Sequence, residues 1–421
     1  MLLCYNKVMK YFFILGKNST LSSAEIASVF ENFKLEFFLL GCSSEVLLVE
    51  IKKSIDIRGL LLRLGGTIKI GVVTDELSKI EPEDIIKNFK ITAEKKFYFG
   101  FSFYKLNEEI SAQELKKKYQ SVQKLGMEVK KFLKEKGCRG RWVTSREINL
   151  SSVVVEKNKL LTPFGAEIVF LFNQEKIYLG KTLAVQEFEE YSFRDFGRPK
   201  RDMRVGLMPP KLAKAMINFT QVDFNQVILD PFCGFGTILG EAMLLGYRNL
   251  IGSDINAKTL EGARQNLEWQ KKNYQLSIIN YQLLKSDVKD LSKKLSPQSV
   301  DAIVTEPYLG PPLKGSEIKE VLEKLLHEIK KLYLASFDVF KQILKKDGKI
   351  VIIFPVYVYN GQKIFLEILP EFEKLGFKIT SPLPEIFTKC FAFKLTARGS
   401  ILYSRPDQRV GREIFIFKRG A

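Results

Sequence analysis

One histidine, His327, is all that the 421-residue chain holds. Its isolation excludes a Ser-His-Asp relay and histidine-based metal chemistry together. It lies in EVLEKLLHEIKKLYLASF, whose spacing makes it an ordinary helix residue. Cysteine is scarce and scattered: Cys4, Cys42, Cys138, Cys233 and Cys390 are odd in number and form no C-x-x-C pair. Neither a disulfide framework nor a zinc site is expected, and a reducing cytosol fits. Long apolar runs are missing too. The opening MLLCYNKVMKYFFILG is too short and too interrupted for a signal peptide or a membrane span, and Met9 stands as an alternative start. No repeat at a solenoid period appears.

Acidic residues are in deficit. Lys and Arg number 66 against 48 Asp and Glu, a formal net charge of +18, and such an excess attracts a polyanion, either nucleic acid or an anionic membrane surface. A generally basic proteome is the plainer alternative. With 46% hydrophobic residues the chain is globular, and its length predicts two or three domains.

From Tyr11 the pattern reads as strand YFFILG, helix SSAEIASVFENF, strands LEFFLL and EVLLVEI, helix SIDIRGLLLRL and strand TIKIGVV, with Ser22 or Ser54 as N-caps. That order predicts a ferredoxin-like domain over 1–80. A second unit over 81–185 has a strand in KKFYFGFSFY, a lysine-dense helix in ELKKKYQSVQKLGMEVKKFLKEKG, and strand-like RWVTS, SSVVVEK, AEIVFLF and IYLGKTLAV. The lysine face of the helix reads equally as a solvated surface. In KGCRGRW, by contrast, Lys136, Arg139 and Arg141 stand among small residues before Trp142, a pattern able to grip phosphates beside a stacking ring. After the basic connector RDFGRPKRDMRVGLMPPKLAKAMINF, strands and helices alternate to the end, giving a third domain over 186–421: a doubly wound α/β sheet with an antiparallel finish.

Within that domain QVILDPFCGFGTILGEAM puts a glycine-rich turn between a strand and a helix, where open α/β sheets bind ligands. Gly234 and Gly236 allow close backbone approach, and the helix from Thr237 offers free N–H groups. No Gly-Lys-Ser/Thr follows, and the third glycine of a dinucleotide fingerprint is missing. Asp254 ends the next strand, where a carboxylate can accept from ribose hydroxyls, and Asp287 in KSDVKDL sits at the third rim, where it can accept from an adenine amine. Each aspartate alone is an ordinary turn residue; three in order at successive rims form a pattern. At the fourth rim DAIVTEPYLGPP presents Glu306, Pro307 and Tyr308.

The series DPFCGFGT, GSDIN, KSDV and VTEPY resembles the ordered motifs of S-adenosylmethionine-dependent methyltransferases acting on exocyclic amines of bases. YFFILGKNSTLSSAEI, LLRLGGTIKIG and the segment RDFGRPKRDMRVGLMPPKLAKAMIN extend the likeness to tRNA guanine-N2 methyltransferases carrying a THUMP domain, so it covers nearly the whole chain. The resemblance implies a Rossmann-like methyltransferase sheet with an antiparallel C-terminal hairpin, preceded by a ferredoxin-like and a THUMP-like domain. It implies S-adenosylmethionine held by Asp230, Phe232, Gly234, Gly236 and Thr237 at the methionine end, Asp254 and Ile255 at the ribose, and Asp287 and Val288 at the adenine. Glu306, Pro307 and Tyr308 fall on the Asp/Asn-Pro-Pro-aromatic motif that receives the amine.

The carboxylate and a nearby backbone carbonyl would accept from the amine's protons and steer its lone pair, while Tyr308 stacks on the base. The tRNA partner would be gripped by Lys136, Arg139 and Arg141 and by Arg198, Lys200 and Arg201 of the connector, unless the latter three form only a solvated linker; a small activating subunit is left open. A D-arm guanine is favoured over an acceptor-stem guanine, and the expected location is cytoplasmic. Glu306 with one proline departs from the family's acid and two prolines, and a second register puts Thr305 at the acidic position. Loss of activity is a consequence that departure allows. The rival readings are a DNA or rRNA amino-methyltransferase and a noncatalytic RNA-binding relative.

Overall fold

A computed structural model describes residues 8–89, 96–201, 208–276, 278–311, 313, 319–406 and 408–420. It contains two compact units. The first holds the chain up to Ser23, Phe33–Phe188 and Glu385–Phe393; the second holds Ala24–Asn32, Glu189–Pro384 and Lys394–Ala421.

The first unit is built on strands β1 (Met9–Leu15), β2 (Phe37–Cys42), β3 (Val46–Ile51), β4 (Thr67–Leu77), β5 (Phe97–Lys105), β6 (Gly140–Val143), β7 (Gly165–Phe172) and β8 (Ile177–Val185). They form one sheet in the order β2-β3-β1-β4-β8-β7-β5-β6. The two N-terminal domains expected over 1–80 and 81–185 therefore share a sheet, because β4 pairs antiparallel with β8 from Lys69↔Val185 to Leu77↔Ile177. Period-two patterning in FYFGFSFYK turns Phe97, Phe99, Phe101 and Phe103 into the core. Phe103 stacks on Phe170 at 5.2 Å.

Helices α1 (Ser19–Asn32, counted with the second unit from Ala24), α2 (Ile57–Arg63), α3 (Pro82–Phe89), α4 (Ala112–Glu135) and α5 (Ser152–Lys157) intervene. Leu125, Val129 and Leu133, at four-residue spacing on α4, pack into the phenylalanine layer. Three expectations change here. SSVVVEK is helical, because Ser151 accepts from the Val154 amide and caps it, overriding the β preference of three valines. The caps of α1 and α2 are Asn18, which accepts from the Leu21 amide at 3.0 Å, and Asp56, which accepts from the Gly59 amide at 3.1 Å, in place of Ser22 and Ser54. Cys42 and Cys390, 348 residues apart in sequence, are joined as a disulfide with their Cα atoms 6.0 Å apart. Cysteine counting missed that bond, since it depends on Glu385–Phe393 belonging to the first unit.

The second unit has α6 (Phe188–Phe196), α7 (Pro210–Thr220), β9 (Val227–Asp230), α8 (Thr237–Leu244), β10 (Asn249–Asp254), α9 (Ala257–Tyr274), β11 (Asn280–Lys285), β12 (Val300–Thr305), α10 (Lys319–Ile343), β13 (Leu344–Tyr359), β14 (Gln362–Phe365), α11 (Leu369–Lys374), β15 (Phe377–Ile379), β16 (Ile401–Tyr403) and β17 (Val410–Arg419). Its main sheet runs β11-β10-β9-β12-β13-β17-β15. β11 to β13 are parallel, and β17 enters antiparallel to both β13 and β15. This is the doubly wound, Rossmann-like sheet with the antiparallel finish expected from the sequence. Strand order reverses between β9 and β12, and ligands of such sheets bind beyond the carboxyl ends at that reversal. The glycine turn and the E-P-Y segment leave from those two strands.

Candidate active site

The buried hydroxyl of Thr305, the last residue of β12, donates to Asp230 Oδ1 at 2.7 Å at the end of β9. That bond turns Thr305 inward, where it is fully buried, and leaves Glu306 as the next residue at the rim. Asp230 also accepts from the Phe232 amide at 3.2 Å. Burial pushes the Asp230 carboxyl up to about 7, opposed by those two hydrogen bonds and reinforced by the charges of Asp254 and Glu306.

Asp254 ties the next rim to the glycine turn. Its Oδ2 accepts from the Gly234 amide at 3.2 Å, and its Oδ1 from the Asn256 amide at 2.8 Å. Gly234 has φ +51° and a β-carbon there would meet only open space, so its backbone is uncovered on that side. Gly236, at φ +82°, closes the turn by donating to the Cys233 carbonyl at 2.7 Å. Cys233 is buried, and burial beside Asp230 and Asp254 pushes its thiol well up, which disfavours the thiolate. Asp287 caps the 3-10 turn Val288–Lys293 by accepting from the Lys289 amide at 3.0 Å. Ile255, 67% exposed, and Asp287 line one open cleft with Lys285 and Ser286. Val288 buries its side chain in the core, so only its backbone can serve a ligand.

The E-P-Y segment is clamped from several sides. Tyr333 Oη of α10 donates to the Tyr308 carbonyl at 3.1 Å, and Tyr357 Oη of β13 donates to the Leu309 carbonyl. Gly310 completes the exit at φ +92°, where a β-carbon would lie 2.5 Å from Tyr357 Oη. Pro307 is buried and Tyr308 is half exposed. Glu306 carries a partner that sequence reading missed: Arg412 of β17 donates through Nε to Oε1 at 2.5 Å and through Nη2 to Oε2 at 3.3 Å. The two lie 106 residues apart, and no local pattern announces the pair.

The basic residues separate into two kinds. In the first unit Lys136, Arg139 and Arg141 are exposed around the turn after α4. Arg141 lies over the Tyr98 ring at 5.7 Å. Trp142 is no free stacking platform, because its ring packs on Phe101 and fills the space beside Gly126. In the second unit Lys200 and Arg201 are exposed, whereas Arg198 is buried and donates through Nη1 to Thr237 Oγ1 at 2.7 Å. Burial takes Arg198 out of the exposed basic set expected from the connector. Asp202 to Leu207, also in that connector, lie outside the described residues.

The model of the RMKL-like methyltransferase domain matches residues 198–360, and a DNA methylase model matches residues 88–265. A probable tRNA (guanine(10)-N2)-dimethyltransferase of Methanothermococcus thermolithotrophicus is 34% identical over 144 residues, 34% of this chain and 77% of that relative. The chain belongs to the tRNA guanine-N2 methyltransferase family. A further relative of this family member, the tRNA (guanine(10)-N2)-dimethyltransferase of Methanothermobacter thermautotrophicus, is 42% identical over 123 residues, 29% of this chain. That match spans about a third of the relative's length, 33%. TrmN from Thermus thermophilus shares the fold, with a TM-score of 0.51 at 14% identity over 97% of this chain and 99% of that one.

S-adenosylmethionine, the cofactor of the family, fits the donor set of this member. The charges of Asp254 and Glu306 act on Asp230, and the three carboxyls form an acidic cradle in a chain of net charge +18. A cationic ligand suits that cradle, and the uncovered backbone at Gly234 admits it closely. Among the described residues no helix is long and apolar enough to cross a membrane.

Proposed function

We propose that this protein transfers a methyl group from S-adenosylmethionine to the exocyclic N2 amine of a guanosine in tRNA. The observation that supports this reading is the Thr305–Asp230 bond, which joins the strand leading into Glu306-Pro307-Tyr308 to the strand leading into the glycine turn at the sheet's reversal. When bound, S-adenosylmethionine supplies an electrophilic methyl group on a positively charged sulfur.

The residues of the chain do the rest. Asp254 and Asp287 hold the ribose and adenine ends, the latter through the oxygen not used in capping. Asp230, Phe232, Gly234, Gly236 and Thr237 line the methionine end, with Ile255 and the Val288 backbone beside the nucleoside. A guanine amine is a weak nucleophile because its lone pair is delocalised into the ring. Glu306 accepts a hydrogen bond from one N–H, and a carbonyl at Glu306 or Pro307 accepts from the other, so that the lone pair is directed out of the ring plane. The carbonyls of Tyr308 and Leu309 each already accept from a tyrosine, whereas those of Glu306 and Pro307 lie nearer the acid, which supports the second acceptor there. Tyr308, 54% exposed, offers its ring face to a flipped base.

Lys136, Arg139 and Arg141 grip phosphates of the folded RNA, with Lys200 and Arg201 adding to the grip. The relatives' names specify guanine 10, which supports a D-arm target, and a tRNA substrate supports a cytoplasmic location. The test is mass spectrometry of tRNA nucleosides after incubation with the cofactor. N2-methylguanosine is the expected product, with Glu306→Ala lowering the rate about 10²- to 10³-fold while calorimetry shows unchanged cofactor affinity. Methylation of another base, or none, overturns the reading.

A further inference from the structure

Glu306 is not a free carboxylate. Both its oxygens are engaged by the Arg412 guanidinium, and the pair is largely buried, with side-chain exposures of 10% for Arg412 and 14% for Glu306. Such a fork-on-carboxylate pairing fixes two atoms in a plane, so it determines where the remaining lone pairs point. A carboxylate offers about four acceptor sites, and the fork occupies one on each oxygen, leaving one on each. Glu306 follows directly on Thr305, whose hydroxyl bonds Asp230 at 2.7 Å, so the acid leaves the strand close to the cradle. An acid drawn away from the site would not act there.

The base of Arg412 is rigid. Arg412 pairs with Pro355 of β13 on one side and with Tyr403 of β16 on the other, so its backbone is held between two strands. β13 separates β17 from β12 in the sheet, and an arginine and a glutamate extended toward each other span the two interstrand steps of about 4.8 Å. A side chain anchored on an interior strand holds its target more precisely than one on a loop. Among the described residues the E-P-Y segment then has three fixed points: the Glu306 carboxylate through Arg412, and the carbonyls of Tyr308 and Leu309 through Tyr333 and Tyr357.

We infer that Arg412 is a positioning residue for methyl transfer: it holds the longer glutamate, where the family carries a shorter acid, in the one orientation from which its outer lone pairs accept the amine's hydrogen. This rests on the proposed guanine-N2 reading. Arg412 touches neither base nor cofactor in this arrangement; it acts through Glu306 alone.

A double-mutant cycle on the full chain with tRNA and S-adenosylmethionine tests it. Arg412→Ala is expected to lower kcat about as far as Glu306→Ala does, roughly 10²-fold or more. KM for tRNA and cofactor affinity should stay within about twofold of the unmodified chain, since only an orientation is lost. In the Glu306→Ala background, Arg412→Ala should cost nothing further. Arg412→Lys, which keeps the charge and loses the fork, should fall between. The double variant leaves no unpaired buried charge, so it keeps the comparison usable if Arg412→Ala alone folds poorly. Losses that multiply across the cycle, a raised KM for tRNA, or full activity in Arg412→Ala overturn the role of Arg412 while leaving guanine-N2 transfer standing. An unmodified chain that transfers no methyl group to tRNA overturns both.

Discussion

Thr305 and Asp230, 75 residues apart, meet hydroxyl to carboxylate at 2.7 Å at the tips of the two central strands. The bond joins the strand that carries the acceptor motif to the strand that carries the cofactor turn. Thr305→Val keeps the shape and removes the donor. A cost of about 1–3 kcal/mol is expected, because Asp230 is buried and, among the described residues, has the Phe232 amide to fall back on. Denaturant unfolding measures it, and a change below a few tenths of a kcal/mol would show the bond to be incidental.

Asp230 also makes stability depend on pH. Its folded value of about 7 lies above the ordinary 3.8, so between those limits the folded chain keeps a proton that the unfolded chain has lost. Its contribution is therefore complete below about pH 4, falls as pH rises, and is gone above about pH 7, with a total on the order of a few kcal/mol. Unfolding curves from pH 4 to 8 should show this slope, and Asp230→Asn should flatten it. A positively charged ligand favours the ionised form, so cofactor affinity should rise through the same window in the unmodified chain and stay level in the variant.

Gly234→Ala separates backbone strain from ligand binding. The added β-carbon meets nothing within 4 Å, yet φ is +51°, so a strain of roughly 1–2 kcal/mol is expected. Gly376→Ala is the matched control, with φ +93° and equally open space. Both should lower stability in thermal melts, Gly376→Ala the more because its φ lies beyond the left-handed α region, and only Gly234→Ala should weaken cofactor binding in calorimetry. Equal affinities would remove the glycine turn from the binding site.

Cys42–Cys390 closes a very long loop, and reduction should cost about 2–4 kcal/mol. Thermal melts with and without reductant give the value. Cys390→Ser should lower stability by the same amount and leave the reductant without further effect; a variant that still responds would point to another bond.

The exposed basic turn is tested by salt. For every phosphate that Lys136, Arg139 or Arg141 neutralises, removing the side chain should flatten the slope of log affinity against log salt by about 0.7–0.9. Replacing all three by alanine should do so for tRNA and leave cofactor affinity alone. An unchanged slope would move the RNA-gripping surface elsewhere.

Local order carried most of the second unit. The apolar pulses of QVILD, NLIGSDI and SVDAIVTEP, each ending in an acid or a turn, place the rims by themselves, because a strand's period and its stop signal are short-range properties. Asp230, Asp254, Asp287 and Glu306 were legible for that reason. Short-range reading failed where one residue's environment outweighed its type: Ser151 made a helix of three valines, and Trp142 went under α4.

What the chain by itself determined was which residues stand at the strand tips and in what order. What only the tertiary structure decided was how those tips are joined: Thr305 turned inward to Asp230, Arg412 brought across β13 to Glu306, and Cys390 brought to Cys42. Such pairings join residues 75 to 348 positions apart, and no periodicity of neighbouring residues encodes a distance that the folded sheet alone creates.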